Sequence, residues 1–536
     1  MKNGLRQPDF ANLPVSAIEY IKLVIKKMRW KKKVREDVQA ELIAHFEDAL
    51  RNCKTNEEKE KAAKELIANF GDAELIAVLA RRAKKRCRPM WQKMLINSLQ
   101  LLGIIFVYIV ICWFYVNWGE PNISVNYVQW LNNYVRQGRD ESLNSPPLIK
   151  EAAKLVVPMP KWLNESEAAW PSDLNDIQMH KLEEWLASNY NAIEGIKKAC
   201  NKPYYWNFYD TNDPELGMPM WSNVKFTILD FSKYRKLAEI IDWQVRYSAY
   251  KNNLQEAVNN TIVLCKFGHN FEGNGILNEQ LGGIGIEARG YHTVFDILNR
   301  TDLSLQQLAD LQGYFQKTQN DKMINFEAEK VFLYDFVQRN FTDDDNGSGK
   351  PIRDGILLGG NNWFHIIWNI LIFNLPDKRD ILEKAETLYE TYGSFRGSIY
   401  TDAKEKYEED IHDTPIWLQL YVPSFEKINA ILCRYKTQRD ALITTLAIMR
   451  FQKETGKYPQ TLDELLQTGH IKQIPFDVYR NGPLTYKRTD INFTLYSFGV
   501  DGDDDGGKMG MRKGKPFIWD EKDGDAVFGP VTESKQ

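Results

Sequence analysis

The sequence predicts a mainly α protein with a small α+β C-terminal module and a single transmembrane helix. Three observations carry this expectation. Residues 94–119 contain no charged side chain, apolar residues recur at helical spacing through 14–88 and much of 120–440, and period-two alternation is confined to residues 484–498. The chain has 536 residues, 69 Lys+Arg against 72 Asp+Glu, and a hydrophobic share of 43%. Such a length predicts several structural units, and the composition excludes a mostly disordered or fibrous chain. The net charge of −3 argues against a general nucleic-acid binder but hides an asymmetry. Residues 1–93 hold 22 basic and 13 acidic side chains, whereas the other 443 hold 47 and 59.

The sign changes at the uncharged run, which reads MLINSLQLLGIIFVYIVICWFYVNWG over 26 residues. A helix needs ~20 apolar residues to cross the hydrocarbon, so 94–118 is long enough to span. Trp91 stands before it and Trp113, Tyr115 and Trp118 close it, as interfacial aromatic rings do. Arg81, Arg82, Lys84, Lys85, Arg86, Arg88 and Lys93 precede the run, and Glu120 is the one charge between it and Arg136. Basic flanks stay in the cytoplasm, so the expected topology is single-pass in the bacterial inner membrane, N-terminus inside and C-terminus outside. A second uncharged stretch, Gly355 to Pro376, carries Asn361, Asn362, His365, Asn369 and Asn374 around only 11 strongly apolar residues. Its length fits a buried or interfacial helix better than a span; as a span, it would return the C-terminal module to the cytoplasm.

Residues 14–88 predict a cytoplasmic helical bundle. Pro14 and Ser16 open a first helix, and Val34, Val38, Leu42, Ile43, Phe46 and Leu50 form one apolar face of a second. Thr55 and Glu58 are spaced as a capping box, Gly71 as a C-cap and Asp72 as the cap of a fourth helix. The stretches VREDVQAELIAHFEDAL and ANFGDAELIAVLARRAKKR resemble the permease-prefix domains that precede membrane segments in many bacterial proteins. That resemblance implies regulation or protein contact rather than catalysis. His45 has no second His, Cys or nucleophile pattern near it and reads as a surface residue.

Residues 120–423 predict an extracytoplasmic helical region. Ser232 and Ser304 are placed as helix caps, Asn252-Asn253 as a turn, and Ile276–Leu298 as a helix. Ala257, Gly282, Gly283 and Gly285 would let such helices approach closely. The hairpins loosely resemble tetratricopeptide repeats without a clean 34-residue period. WLASNYNAIEGIKKAC and DFVQRNFTDDDNGSGKPI are similar to the exterior of large single-span bacterial envelope proteins of unknown role. Asp344, Asn346, Ser348 and Gly349 mimic positions 1, 3, 5 and 6 of a calcium loop, but Gly355 stands where the bidentate Glu belongs, so an acidic turn is the better reading.

Residues 424–530 predict a long amphipathic helix with Ile428, Ile431, Leu442, Leu446, Ile448 and Phe451 on its apolar side. A short helix capped at Thr461 and closed by Gly469 follows, then a strand pair running into a Gly/Asp loop. ALITTLAIMRFQKETGKYPQTLDELL, PLTYKRTDINFTLYSFGVDGDDDGG and WDEKDGDAVFGP resemble the globular head of the major pseudopilins of type II secretion. The resemblance implies a calcium site in that loop: a Phe498 carbonyl, an Asp501 carboxylate, and one of Asp523 or Asp525. Asp503, Asp504 and Asp505 add hard oxygen donors of the kind Ca²⁺ takes, so Asp501, Asp503, Asp505, Asp523 and Asp525 are the candidate metal ligands. Two features depart from that family: the hydrophobic helix lies more than 300 residues upstream, and Lys508, Arg512, Lys513 and Lys515 follow the loop. Carboxylates so crowded repel, which calls for a cation or the inserted basic residues as partner.

No zinc-protease motif, nucleophile elbow or Cys-x-x-Cys pair occurs. Gly502–Lys508 lacks the Ser/Thr of a phosphate loop, and Gly283–Ala288 falls inside a predicted helix rather than at a dinucleotide turn. Cys200, Cys265 and Cys433 allow at most one external disulfide. The expected function is non-enzymatic: a membrane-anchored scaffold for protein contact or secretion-related assembly, with protein and membrane but no nucleic acid as partners and Ca²⁺ as a stabiliser. The rival is a hydrolase using a carboxylate pair among the aromatic residues around Trp206–Trp221; a third reading is signalling through the N-terminal bundle.

Overall fold

In a computed structural model, the described residues are 10–86, 90–166, 168–209, 220–273, 275–319, 324–344, 346–352, 377–393, 400, 405–407, 410, 418, 422–489, 491–512, 515–516, 518–519 and 523–529. They are mainly helical with a small sheet portion. The chain divides into two units, Met1–Trp113 and Phe114–Gln536.

The first unit is a helical bundle followed by an apolar helix. Helices α1 (Val15–Lys27), α2 (Lys32–Ala49), α3 (Asn56–Phe70) and α4 (Ala73–Arg86) bury Ala17, Ile21 and Val24 against Val38, Ile43, Phe46, Ala63 and Ala77. Their ends are fixed locally. Thr55 Oγ1 accepts from the Glu58 N–H at 3.3 Å while Glu58 takes the Thr55 N–H at 3.2 Å, the reciprocal pair that satisfies two otherwise unpaired donors. Gly71 then turns the chain at φ +79°, and its carbonyl accepts from Tyr20 Oη at 3.0 Å. His45 is exposed and meets the edge of Phe70. Helix α5 (Met90–Asn117) contains the stretch Met94–Ile111, whose mean hydropathy is 2.3 and none of which is buried. Leu99, Leu102, Ile104 and Phe106 are all more than half exposed, so this helix is long and apolar enough to cross a membrane and presents that apolar surface outward.

The second unit opens with α6 (Tyr127–Arg136), α7 (Pro146–Lys154), α8 (Lys161–Glu165), α9 (Asp176–Ser188) and α10 (Tyr190–Ala199). Three long neighbours follow, α11 (Met220–Tyr250), α12 (Leu254–His269) and α13 (Leu277–Arg300), then α14 (Leu305–Lys317), α15 (Glu327–Asn340) and α16 (Lys378–Gly393). Asn252, at φ +61°, makes the tight turn between α11 and α12, and Ser304 with Gln307 forms a capping box on α14. Ser232 does not start a helix; it lies inside α11, which begins at Met220. The second uncharged stretch, 355–376, lies outside the described residues. Asp344 is a turn residue: its Oδ1 accepts from the N–H groups of Asn346 and Ser348, both at 3.0 Å, which leaves that carboxylate committed locally; Gly355 lies outside the described residues.

Glycine sets how closely α12 and α13 approach. A Cβ on Gly283 would sit 2.5 Å from Phe271 Cβ and 2.6 Å from the Gly268 carbonyl, and one on Gly268 would sit 2.6 Å from the Glu287 N–H nitrogen. Gly285, two positions away, faces open space. We therefore expect Gly283→Ala to destabilise the chain by about 1–3 kcal/mol through overpacking. Gly285→Ala should be neutral or gain up to about 1 kcal/mol from helix propensity. Chemical denaturation of the detergent-solubilised chain checks both.

Helix α17 (Phe425–Thr455) joins the helical layer to the C-terminal module. Phe425, Ile428, Leu432, Tyr435, Leu442, Ile443 and Leu446 belong to the helical core, whereas Cys433, Ala441, Ala447, Ile448 and Phe451 belong to the core of the module. The expectation of one apolar face is corrected here: from Thr437 to Ile448 every residue is buried, because both sides have partners, while Ile431 is 39% exposed. After it come α18 (Leu462–Gln467) and the strands β1 (Phe476–Asp477), β2 (Gly482–Pro483), β3 (Thr485–Arg488), β4 (Phe493–Ser497), β5 (Met511–Arg512), β6 (Lys515–Pro516) and β7 (Ala526–Val527). Thr461 does not cap α18 with its side chain; instead Glu464 accepts from the Gln460 N–H at 2.6 Å. The sheet order is β3-β4-β7, all antiparallel, and β5 and β6 make a separate ribbon from the inserted basic residues.

Candidate metal centre

Strand register builds the aspartate loop. Ser497, the last residue of β4, pairs with Ala526 of β7, so the chain leaving β4 runs beside the chain entering β7. Asp477 fixes the start of the loop: its Oδ1 accepts from Ser497 Oγ at 2.7 Å and the Tyr479 N–H at 3.0 Å, and its Oδ2 from the Phe498 N–H at 3.0 Å. Burial raises the Asp477 carboxyl above the ordinary range despite these three donors. Across the loop, the Gly524 N–H donates to Asp505 Oδ2 at 2.9 Å and the Gly507 N–H to Asp525 Oδ2 at 2.7 Å. Gly524 has φ +103°, and a Cβ there would strike the backbone of Gly510, so no other residue suits the position.

Asp501, Asp503 and Asp505 converge, with one oxygen of each within 4.8 Å of the others. Two ligands on one Ca²⁺ ion lie at most about 5 Å apart, given Ca–O distances of roughly 2.3–2.6 Å, so the three can share a coordination sphere. Neither buried oxygen of Asp501 completes a hydrogen bond of normal geometry. Its carboxyl is raised by burial and then by the Asp503 charge, against partial relief from the Asp503 N–H. Asp525 is fully buried; its Oδ1 has no partner, and burial pushes its carboxyl up to about 6. Orphaned hard oxygens of this kind suit a calcium ion, so Asp501, Asp503, Asp505 and Asp525 fit the expected metal.

Two neighbours do not join them. Asp504 turns away, accepting from Tyr496 Oη at 2.9 Å and the Gly506 N–H at 3.0 Å, which hold its carboxyl below the usual range. Asp523 is exposed; neither it nor Asp525 is in the group whose oxygens converge, but Asp525 is buried and accepts from the Gly507 N–H of the loop. Of the two returning aspartates that the sequence left open, Asp525 is therefore the one placed at the loop. A cation close to the loop is Lys487 of β3, which lies over the Tyr496 ring at 4.9 Å; its hydrogen bond to Tyr496, and then the Asp504 and Asp525 charges, raise its amine.

The helical layer holds a polar cluster that no sequence pattern singled out. His269 ends α12, Glu272 follows it, Glu287 and Tyr291 lie one turn apart on α13, and Tyr435 comes from α17. His269 Nδ1 is 3.3 Å from Glu272 Oε2 and 4.0 Å from Glu287 Oε2. Tyr291 Oη donates to Glu287 Oε1 at 2.9 Å, and Tyr435 Oη lies 2.6 Å from Glu287 Oε2 and 3.1 Å from Glu272 Oε1. The available signals were His269-x-x-Glu272 and Glu287-x-x-x-Tyr291, spacings that put each pair on one side of a helix but occur widely by chance.

Of the region named for the rival hydrolase, the described residues Trp206–Tyr209 are tied down by hydrogen bonds. Asn144 and Asn132 clasp the backbone of Trp206 and Tyr209 with paired hydrogen bonds of 2.8–3.0 Å. Glu279 is buried there, accepting from Asn207 Nδ2 at 2.8 Å and Tyr209 Oη at 3.2 Å. Residues 210–219 lie outside the described residues. A cavity of about 250 Å³ elsewhere, lined by Gln316, Gln319, Asp440, Lys472 and Gln473 among others, offers one carboxylate and no aromatic wall. Compared with known protein families, curated proteins and solved structures, the chain matches none.

Proposed function

We propose that this chain is a single-pass protein of the bacterial inner membrane that acts as a scaffold for protein contact or secretion-related assembly. Its N-terminal bundle is cytoplasmic, and Phe114–Gln536 lies outside, with Ca²⁺ stiffening the aspartate loop. The observation that carries the reading is α5: eighteen consecutive residues of mean hydropathy 2.3, none buried, with the basic cluster Arg81–Lys93 on one side alone. The helical layer supports a contact role, because it presents stacked helices. The permease-prefix and pseudopilin resemblances give the same direction without supplying a reaction.

Topology is tested by protease access. Protease added to cells with a permeabilised outer layer should remove epitopes placed after residue 120 and spare one in α2 until the inner membrane is opened. Cleavage of the α2 epitope first would reverse the orientation.

The calcium claim is tested on the full chain in detergent. Millimolar Ca²⁺ should raise the melting temperature by several degrees over a chelated sample, as a ligand that binds only the folded state must. Asp501→Ala should abolish the rise and Asp523→Ala should leave it intact. Equal responses from both variants would remove the loop as the binding site.

A further inference from the structure

We propose that His269 Nδ1, Glu272 Oε2 and a carboxylate oxygen of Glu287 form a three-ligand site for a divalent first-row transition ion of the Zn²⁺ class, separate from the aspartate loop. The three donors all lie within 4.8 Å of one another. Two donors on a tetrahedral ion with bonds of about 2.1 Å are roughly 3.4 Å apart. The observed 3.3 and 4.0 Å from His269 Nδ1 to the two carboxylates bracket that edge. One imidazole nitrogen with two carboxylates is a donor set for Zn²⁺, Fe²⁺ or Mn²⁺ rather than Ca²⁺, which prefers oxygen alone.

A second observation is independent of the clustering. The Glu272 side chain is only 6% exposed, and its Oε2 and His269 Nδ1 face each other at 3.3 Å without a hydrogen bond of normal geometry. Buried polar atoms are almost always satisfied, and an ion bridging this pair would complete both. The neighbouring hydroxyls do not fill the place. Tyr291 donates its proton to Glu287 Oε1, the single proton of Tyr435 serves either Glu287 Oε2 or Glu272 Oε1, and neither reaches Glu272 Oε2. They act instead as outer partners that orient the ligating carboxylates.

Charge points the same way. Two ionised carboxylates with a neutral imidazole carry −2, which a divalent ion cancels. Entry is available past His269, whose side chain is 32% exposed at the edge of an otherwise buried cluster. The site is pre-organised by the backbone contact at Gly268 and Gly283 that brings the end of α12 against Glu287.

The test uses the full chain in detergent carrying Asp501→Ala, so that the loop does not contribute. After chelation and dialysis, Co²⁺ is titrated and its visible absorption and bound stoichiometry are recorded, with Zn²⁺ as competitor. We expect one ion per chain, displaced by Zn²⁺. His269→Gln and Glu287→Gln should each weaken binding at least tenfold, and Tyr435→Phe by roughly ten- to a hundredfold, as outer partners of metal ligands do. Helical circular dichroism identifies a variant that fails to fold; Glu272→Gln, which alters the carboxylate at the rim, then decides the matter. A folded chain that takes up no Co²⁺ at millimolar concentration, or one that still binds after His269→Gln and Glu272→Gln together, would overturn the assignment in favour of a proton-filled cluster.

Discussion

Replacing Asp477 by alanine will cost the C-terminal module about 3–5 kcal/mol, a large share of the ~5–15 kcal/mol that holds a typical domain together. The side chain is fully buried and accepts from three donors, Ser497 Oγ and the N–H groups of Tyr479 and Phe498. Alanine leaves all three inside without water, and an orphaned buried donor costs roughly 1–3 kcal/mol. The burial that raises the Asp477 carboxyl offsets part of that sum, because removing the charge also removes its own desolvation cost. Asparagine gives an intermediate outcome: its oxygen can serve Ser497 and Tyr479, but its NH₂ would face the Phe498 N–H, donor against donor. Since Phe498 starts the aspartate loop, both variants should also weaken the response to Ca²⁺. Denaturant midpoints for wild type, Asp477→Asn and Asp477→Ala, falling in that order, are the expected measurement; three equal midpoints would contradict it.

Stability of the second unit should fall as pH rises from about 5 to 8. Glu279 is buried and Glu329 partly so, and desolvation pushes each carboxyl up to about 7 from the ordinary 4.5. Between those values the folded chain binds protons that the unfolded chain has released, so each step up in pH favours unfolding. Below about 4.5 both states are protonated and the penalty is absent; above about 7 it is complete, at roughly 3 kcal/mol for each residue. Asp525, raised to about 6, slopes the same way. His292 opposes, because burial holds its imidazole below the ordinary value and acidification must charge it. Glu279, Glu329 and Asp525, joined by Glu287, which burial also raises to about 7, outweigh one imidazole, so the melting temperature should be higher near pH 5 than at pH 8. Glu279→Gln keeps an acceptor for Asn207 and should flatten the slope while stabilising the chain at pH 8. A variant that loses as much at pH 8 as at pH 5 would count against the account.

Local chemistry was legible in the sequence, and non-local burial was not. The capping box at Thr55, the turn at Asn252, the Ser304 cap and the apolar helix all depend on residues within one or two turns, and each is found where its pattern stands. The convergence of Asp501, Asp503 and Asp505 was readable because the loop is short and its glycines force it to curl. Ser232 misled because serine is also tolerated inside a helix, and α11 begins twelve residues before it. Helix α17 misled because a period of 3.6 assumes one wet face, and this helix has none from Thr437 to Ile448. Asp523 and Asp525 are two residues apart and face opposite environments, which only the pairing of β7 with β4 decides. Glu272 and Glu287 become neighbours through a glycine contact between two helices.

Helix α17 also fixes an order of events during synthesis. Phe425, Tyr435 and Leu446 complete the core of a layer whose other helices leave the ribosome earlier. At roughly 5–20 residues per second, translation leaves that layer open for seconds before its sealing helix arrives. The module behind α17 is in turn built on the opposite side of the same helix. A nascent chain stalled before residue 425 would therefore hold an unsealed apolar trough, the kind of surface that chaperones and proteases inspect.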